Sequence, residues 1–272
     1  MKLRVLMFET PHDGYYNIAF EEALARARGC NIIDDTLRFF RNKNAVIIGY
    51  FQKAEEEVNL DYLKKIDAQL IRRPTGGGAV YHDLGNLNYS IAISYDKAKS
   101  ISPVDYIFSV LINGPINALN SLGFDARLEN INDIVVNNRK VSGTAASTSW
   151  NALFFHGAML LSTDMEKLSS VLKIPQKKLI DKGVSNVKYR VTNLFEINNK
   201  IGIDDIIKSF VNSYQQLLNY DDVYYSIPSK KEIEIASLLY EEKYTKHEWN
   251  YNRESHSKFQ KLEEQLKELC KG

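Results

Sequence analysis

RRPTGGGAVYHD, residues 72–83, is the stretch on which the reading turns: two arginines, a proline, three consecutive glycines, then a short apolar run closing on His82 and Asp83. The chain has 14 glycines in 272 residues, so three side by side mark a place where bare backbone is needed. QLIRR just before has strand character. Pro74 to Gly78 must be irregular, because proline lacks a donor and three glycines disfavour any regular element. Two readings stay open for such a loop. It is a hairpin connection that needs positive φ, or a concavity of backbone amides that accepts an anion, with Arg72 and Arg73 supplying charge. The familiar nucleotide loops do not fit: Gly78 is followed by AVY rather than Lys-Ser/Thr, and no GxGxxG opens a helix.

Working outward, RVLMFE (4–9), TLRFFRN (36–42) and AVIIGYF (45–51) read as buried strands, and YYNIAFEEALARARG as a helix that stops at Gly29. VNLDYLKKID reads as a second helix. AVYHDLGNLNYSIAIS returns to strand character and looks like a hairpin. Apolar residues from Val104 to Leu119 recur at helical spacing, with Gly114 and Pro115 as a kink and Gly123 as the stop. DIVVNN, RKVSGTAAS and ALFFHGAMLLS are strands again, with a tight turn at Asn137 and Asn138. Helical patterns follow at 164–172, 203–219, 229–243 and 257–270. The expected fold class is therefore α+β: one large mixed sheet flanked by helices, then a mostly helical C-terminal portion.

Composition narrows the function classes. Lys+Arg 35 against Asp+Glu 34 gives a formal charge of +1, so no global field advertises a nucleic-acid or membrane partner. No apolar run is long enough to span a bilayer, and the N-terminal stretch is too short for a secretory signal. Cys30 and Cys270, far apart in sequence and without zinc spacing, are expected to remain reduced thiols in a cytoplasmic protein.

A second cluster, ENINDIVVNNRKVSGTAAS, carries Asn132 and Asp133 before one strand and Lys140 at the start of the next. An isolated lysine is usually a solvated charge, and Asn-Asp before a strand is usually a turn. Ser142, Gly143 and Thr144 beside Lys140 leave room for a bound group. His156, alone in the apolar strand FFHGAMLL, reads equally as a satisfied core histidine.

RRPTGGGAVYHDLGNLNYS, NDIVVNNRKVSGTAAS, HGAMLLSTDMEKL, SNVKYRVTNL and EEKYTKHEWNY, in that order, resemble the lipoate-protein ligase A family, related to the biotin ligases. The resemblance runs to about Tyr251. It implies a largely antiparallel sheet of the biotin/lipoate ligase type, with residues 1–251 as the catalytic domain and 252–272 as a short helical tail. It also implies ATP-dependent activation of lipoate to lipoyl-AMP, with Mg²⁺. The lipoyl group then passes to a lysine of the lipoyl domains of 2-oxoacid dehydrogenase E2 subunits, or of glycine-cleavage H protein.

Carried across residue by residue, the resemblance gives Lys140 the catalytic place, as the ammonium that stabilises charge on the carboxyl and phosphoryl oxygens. Arg73 and Gly76, Gly77 and Gly78 would hold the acyl chain and its linkage to phosphate, with His82 close by. Asn132 and Asp133 would lie near the adenylate, Asp133 with Mg²⁺. Gly143, Thr144 and Ala145 would line the nucleotide side, His156 and Gly157 would support the site, and Gly49 and Gln52 would lie at the pocket mouth. The separate C-terminal domain of larger family members is expected to be absent, so the resemblance points to two-part ligases that need a small accessory subunit. Neither cysteine falls where the related octanoyltransferases keep a nucleophile, which disfavours a thioester route. An ATP-independent octanoyl or lipoyl transferase and a non-catalytic lipoyl-domain scaffold remain as alternatives.

Overall fold

The computed structural model describes residues 1–173, 190–253 and 259–271. Its strands are β1 (Lys2–Met7), β2 (Asp35–Phe40), β3 (Asn44–Ile48), β4 (Gln69–Arg72), β5 (Val80–Asp83), β6 (Asn86–Ser94), β7 (Ala126–Glu129), β8 (Asp133–Val136), β9 (Arg139–Ser147), β10 (Ala152–Leu160) and β11 (Asp222–Ser226). Eight of them form one sheet in the order β11-β1-β2-β6-β10-β9-β8-β7, and a smaller sheet runs β4-β3-β5. Pairing in the large sheet is antiparallel from β2 to β7 and parallel at the β11-β1-β2 edge. The mixed sheet flanked by helices follows the expected class. The edge strand β11 is a departure, an extended DVYYS inside a region whose pattern reads as helical.

The expected hairpin at 79–94 is corrected. β5 pairs with β3 in the small sheet, whereas β6 pairs with β2 and β10 in the large one. The short Leu84–Gly85 link thus carries the chain between layers. Gly85 is needed there because a Cβ would lie 2.4 Å from the backbone of Ser162. The β8–β9 connection is the two-residue turn expected, with Asn137 and Asn138 at φ 51° and 62°.

Helix α1 (Gly14–Gly29), capped by the Asp13 carboxylate accepting from the Tyr16 amide, fills the space between the sheets. It is buried almost all round, because β2, β6 and β10 lie on one side and β4 and α4 (Lys230–Leu239) on others. The opposite face of the large sheet is closed by α2 (Asn113–Ser121) and α3 (Ile203–Leu217), which pack on each other. The run ahead of α2 is a π turn over Ile107–Leu111, giving the irregularity just before Gly114 and Pro115.

Strand alternation sorts β6 cleanly. Leu87, Tyr89, Ile91 and Ile93 enter the core with Phe155, Phe210 and Tyr214, while Asn86, Asn88 and Ser90 point the other way, toward α1 and the small sheet.

The C-terminal helix α5 (Gln260–Lys271) packs back on the body. Leu262 and Leu266 join Trp249 and α1 in one cluster, and Arg26 pairs with both Glu22 and Glu263. Burial pushes the Glu22 carboxyl up, but Lys243 and Arg26 outweigh it and hold the group at about 2. Cys30 and Cys270 are joined in a disulfide across this contact, with Cα atoms 5.5 Å apart. The expectation of two separate thiols is therefore overturned. The sequence separation of 240 residues hides a proximity that exists only because α5 returns to the end of α1. Among the described residues no helix is long and apolar enough to cross a membrane.

Candidate functional site

Two adjoining cavities open between the sheets and share Gly78, Ala79, Val80, Asn132, Lys140, Gly143 and Ala158 as common wall. The smaller, about 80 Å³, is a slot whose far wall is apolar, with Ile18, Phe40 and Ile47. The larger, about 480 Å³, has mixed walls, with Leu160, Leu168 and Leu172 as well as Asn86, Asp133 and Arg190.

Lys140 stands at the junction. β9 begins with Arg139 and Lys140, and a register irregularity at Ile134/Val135 of β8 sets Lys140 opposite Val135 while Gly143 faces Asp133. The Lys140 ammonium lies 2.6 Å from Asp133 Oδ1, and Arg190 donates to Asp133 Oδ2 at 2.6 Å. Both oxygens of this largely buried carboxylate are thus held by cations. The chain at 190–192 is tied to the same place, since the Lys140 amide donates to the Arg190 carbonyl and the Thr192 amide to the Lys140 carbonyl. Gly143 leaves room for the lysine in this position: a Cβ there would lie 2.8 Å from Lys140 Nζ and push it aside.

The glycine loop is moulded from within by Arg73. Its guanidinium donates to Thr75 Oγ1 and to the carbonyls of Ile47, Gly76 and Gly78 at 2.6–3.3 Å. Burial brings it down to about 10, opposed by Glu21, so it stays a cation at neutral pH. Gly77 needs glycine on two counts, φ +92° and an added Cβ 2.8 Å from the Arg73 guanidinium. Gly49 meets the loop at backbone contact, where a Cβ would lie 2.2 Å from the Gly77 carbonyl, and Gln52 caps the Gly49 amide. The expectation that Arg72 and Arg73 both offer charge to an anion is corrected. Arg72, the last residue of β4, donates to carbonyls of Gly49, Tyr50, Gln52, Trp249, Asn250 and Tyr251, and so clamps the EWNY segment to residues 49–52.

His82 is buried, and its Nδ1 accepts from Asn42, whose own Oδ1 is taken by Asn17. The ring proton is therefore on Nε2, which meets no partner among the described residues. Burial, then the nearby charge of Arg73 and His156, brings this imidazole down to about 3. His156 joins Glu21 through Nδ1 at 3.0 Å and Thr75 through Nε2 at 2.8 Å, and Thr75 in turn accepts from Arg73. The chain Glu21–His156–Thr75–Arg73 braces the loop against α1 and β10. Gly157, next to it, leaves room for the Tyr89 hydroxyl. Asn132 donates to the Thr144 carbonyl and its own carbonyl accepts from the Thr144 amide and hydroxyl, fastening the β7–β8 connection onto β9. Ala145 faces His156 across the β9–β10 pair.

The sequence-derived residues Arg73, Gly78, His82, Asn132, Lys140, Gly143, Thr144, Ala145, His156 and Gly157 all border the slot, and Gly77, Asp133 and Gln52 border the larger cavity. Gly76 lies in the loop near the Phe51 ring, which a Cβ added there would meet at 3.9 Å, and borders neither. Sequence reasoning missed Glu21, Asn42, Asn88 and Arg190. Arg190 stands in the SNVKYRVTNL block, whose first five residues lie outside the described residues. Asn88 had a visible signal, the polar residues Asn86, Asn88 and Ser90 alternating with Leu87 and Tyr89 at the start of the strand.

The catalytic-domain model of the lipoyl protein ligase A/B family matches residues 13–215. Lipoate-protein ligase A subunit 1 of Thermoplasma acidophilum is 38% identical over 262 residues, covering 92% of this chain and 97% of that one. A structure described as a bi-partite lipoate protein ligase and its E2 lipoyl domain, from the same organism, matches at TM-score 0.82 and 36% identity, over 94% of this chain and 98% of that one. A lipoate-protein ligase A bound with ATP matches at TM-score 0.82 and 35% identity, over 93% of this chain and all of that one. With the glycine loop and the lysine junction inside residues 13–215, the chain belongs to the lipoyl protein ligase A/B catalytic domain family.

Proposed function

We propose that the chain is the catalytic subunit of a lipoate-protein ligase, which activates lipoate with ATP to lipoyl-AMP and transfers the lipoyl group to a lysine of a lipoyl domain. The observation that carries this reading is the Lys140–Asp133 pair at the junction of an apolar-ended slot and a larger chamber that carries Asn86, Asp133 and Arg190 among apolar residues. A fatty carboxylic acid in the slot brings its carboxylate to the ammonium, and a nucleotide in the chamber brings its α-phosphate to the same point.

In the first half-reaction a carboxylate oxygen attacks the α-phosphorus and pyrophosphate leaves. In the second, the acceptor ε-amine attacks the acyl carbon and AMP leaves. Negative charge builds at the carboxyl and phosphoryl oxygens in both, and one preorganised donor there is worth about 100- to 1000-fold in rate. Asp133, itself held by Arg190, fixes the ammonium in place, and Gly143 gives it room. The bare amides of Gly77 and Gly78, shaped by Arg73, suit the acyl-phosphate linkage.

Mg²⁺ would neutralise charge on the triphosphate. Both Asp133 oxygens are already engaged by cations, and among the described residues no group of three His, Cys, Asp or Glu could hold a metal. The donor set fits an ion that would arrive on the nucleotide rather than a resident one, meeting Asp133 through the lone pairs that Lys140 and Arg190 leave free.

Likeness to a bi-partite ligase over nearly all of its catalytic chain supports a separate accessory subunit as partner, and glycine-cleavage H protein is a second acceptor of the same lysine chemistry. The ATP supply argues for the cytoplasm, where structural disulfides are uncommon. Counting free thiols in protein purified without reductant checks that assignment against the Cys30–Cys270 bond. The test of function is incubation with lipoate, Mg-ATP and a lipoyl domain, with and without the accessory protein, followed by the acceptor mass and AMP release. A lipoyl-sized mass gain that requires ATP is the expected result. Acylation without ATP from an acyl-carrier donor overturns the ligase reading in favour of a transferase.

A further inference from the structure

The upper face of β6 carries an unusual residue. Asn88 is 2% exposed, borders the slot, and is the one side chain with both of its polar atoms unpartnered among the described residues. Burying a primary amide without hydrogen bonds costs free energy that a core would avoid with leucine or valine. A group of this kind inside a cavity points to a ligand atom that meets it.

Strand register says which part of the ligand that is. One row runs across the large sheet: Asp133 faces Gly143, Gly143 faces Ala158, Ala158 faces Asn88, and Asn88 faces Phe40. The Lys140 ammonium hangs over Gly143. From Gly143 to Asn88 is two strand spacings, about 9.5 Å, which matches the extended reach of an eight-carbon acid. Between these ends the floor carries only the hydrogen of Gly143 and the methyl of Ala158, so a chain can lie flat across it. Ile18, Phe40 and Ile47 close the far end. With its carboxyl carbon at Lys140, the acid therefore puts its last carbons beside Asn88.

Resting on the ligase reading, we propose that Asn88 is a specificity-determining residue: its side-chain amide donates to sulfur of the dithiolane ring and favours lipoate over the plain eight-carbon acid. Sulfur is a weak acceptor, but a ligand lacking it leaves the amide unmet in a dry slot. His82 Nε2–H, unpartnered on the same slot, adds a second donor to its polar side.

The test uses the full chain with preformed lipoyl-AMP and octanoyl-AMP, reading transfer to a lipoyl domain as kcat/KM for each. Wild type is expected to favour the lipoyl donor by about three- to tenfold. Asn88→Leu, close in volume but without a donor, should bring the two within twofold of each other. Asn88→Ser, which keeps a hydroxyl donor and carries the test if the leucine variant does not fold, should retain part of the preference. A ratio cancels any loss of folded protein, so a general structural role does not move it. The proposal fails if wild type has no preference, or if the lipoyl-to-octanoyl ratio is the same in wild type and both variants. Failure of wild type to transfer either acyl group sinks the ligase reading instead, and this proposal with it.

Discussion

The two faces of the large sheet are built from the same strands and differ in what they leave unpaired. Below, Leu87, Tyr89, Ile91 and Ile93 of β6 meet Phe39, Phe155 and Phe210, and the one hydroxyl involved, that of Tyr89, is bonded to Ser142. Above, alternate residues of the same strand are Asn86, Asn88 and Ser90, each with an unpartnered side-chain atom among the described residues. The lower face is a closed core whose interactions are complete. On the proposed reading the upper face is half of a binding site, and the difference separates what should change stability from what should change rate.

The largest effect expected from breaking this comparison lies on the lower face. Phe210 is fully buried, with ring contacts to Phe39 and Tyr89, so Phe210→Ala should cost about 3–5 kcal/mol in chemical denaturation. Acyl transfer per folded molecule should stay within twofold. Next is the pin at the chain's end: Cys270→Ser, or reduction of the native bond, should remove about 2–4 kcal/mol, read in the same assay.

On the upper face the signature inverts. Gly143→Ala pushes on the mobile end of a lysine rather than on backbone, so the melting temperature should hold within about 2 °C. Transfer should slow about 10- to 100-fold as the ammonium is displaced.

The last effect, absent at neutral pH and felt only in acid, is a pH slope from His82, whose folded value near 3 lies below the ordinary 6.5. The unfolded chain binds its proton first, so stability is complete above about 6.5 and declines as pH falls toward 3. His82→Phe should flatten the stability profile between pH 4 and 6, and an unchanged slope would remove His82 as its source.

The contrast also marks where the sequence was readable. PTGGG announced an irregular loop because proline and glycine act locally, and NN announced the β8–β9 turn for the same reason. Direction and distance were hidden. Two adjacent arginines look alike as charges, yet Arg72 ends β4 and Arg73 lies just past it, and Arg73 moulds the glycine loop while Arg72 clamps the EWNY segment. The β5–β6 link reads as a hairpin because nothing local says that its two strands belong to different sheets. Lys140 and Asp133 came from the same block, but that Arg190 shares the carboxylate follows only from tertiary contact, as does the Cys30–Cys270 pairing.

The most direct measurement of the central claim is single-turnover transfer from preformed lipoyl-AMP to a lipoyl domain by wild type and Lys140→Ala, alongside thermal unfolding of both. The account predicts a rate lower by about 100- to 1000-fold in the variant, with the melting temperature little changed because Arg190 still neutralises Asp133. Equal rates in the two proteins would contradict it, and would move the chemistry away from the junction at Lys140.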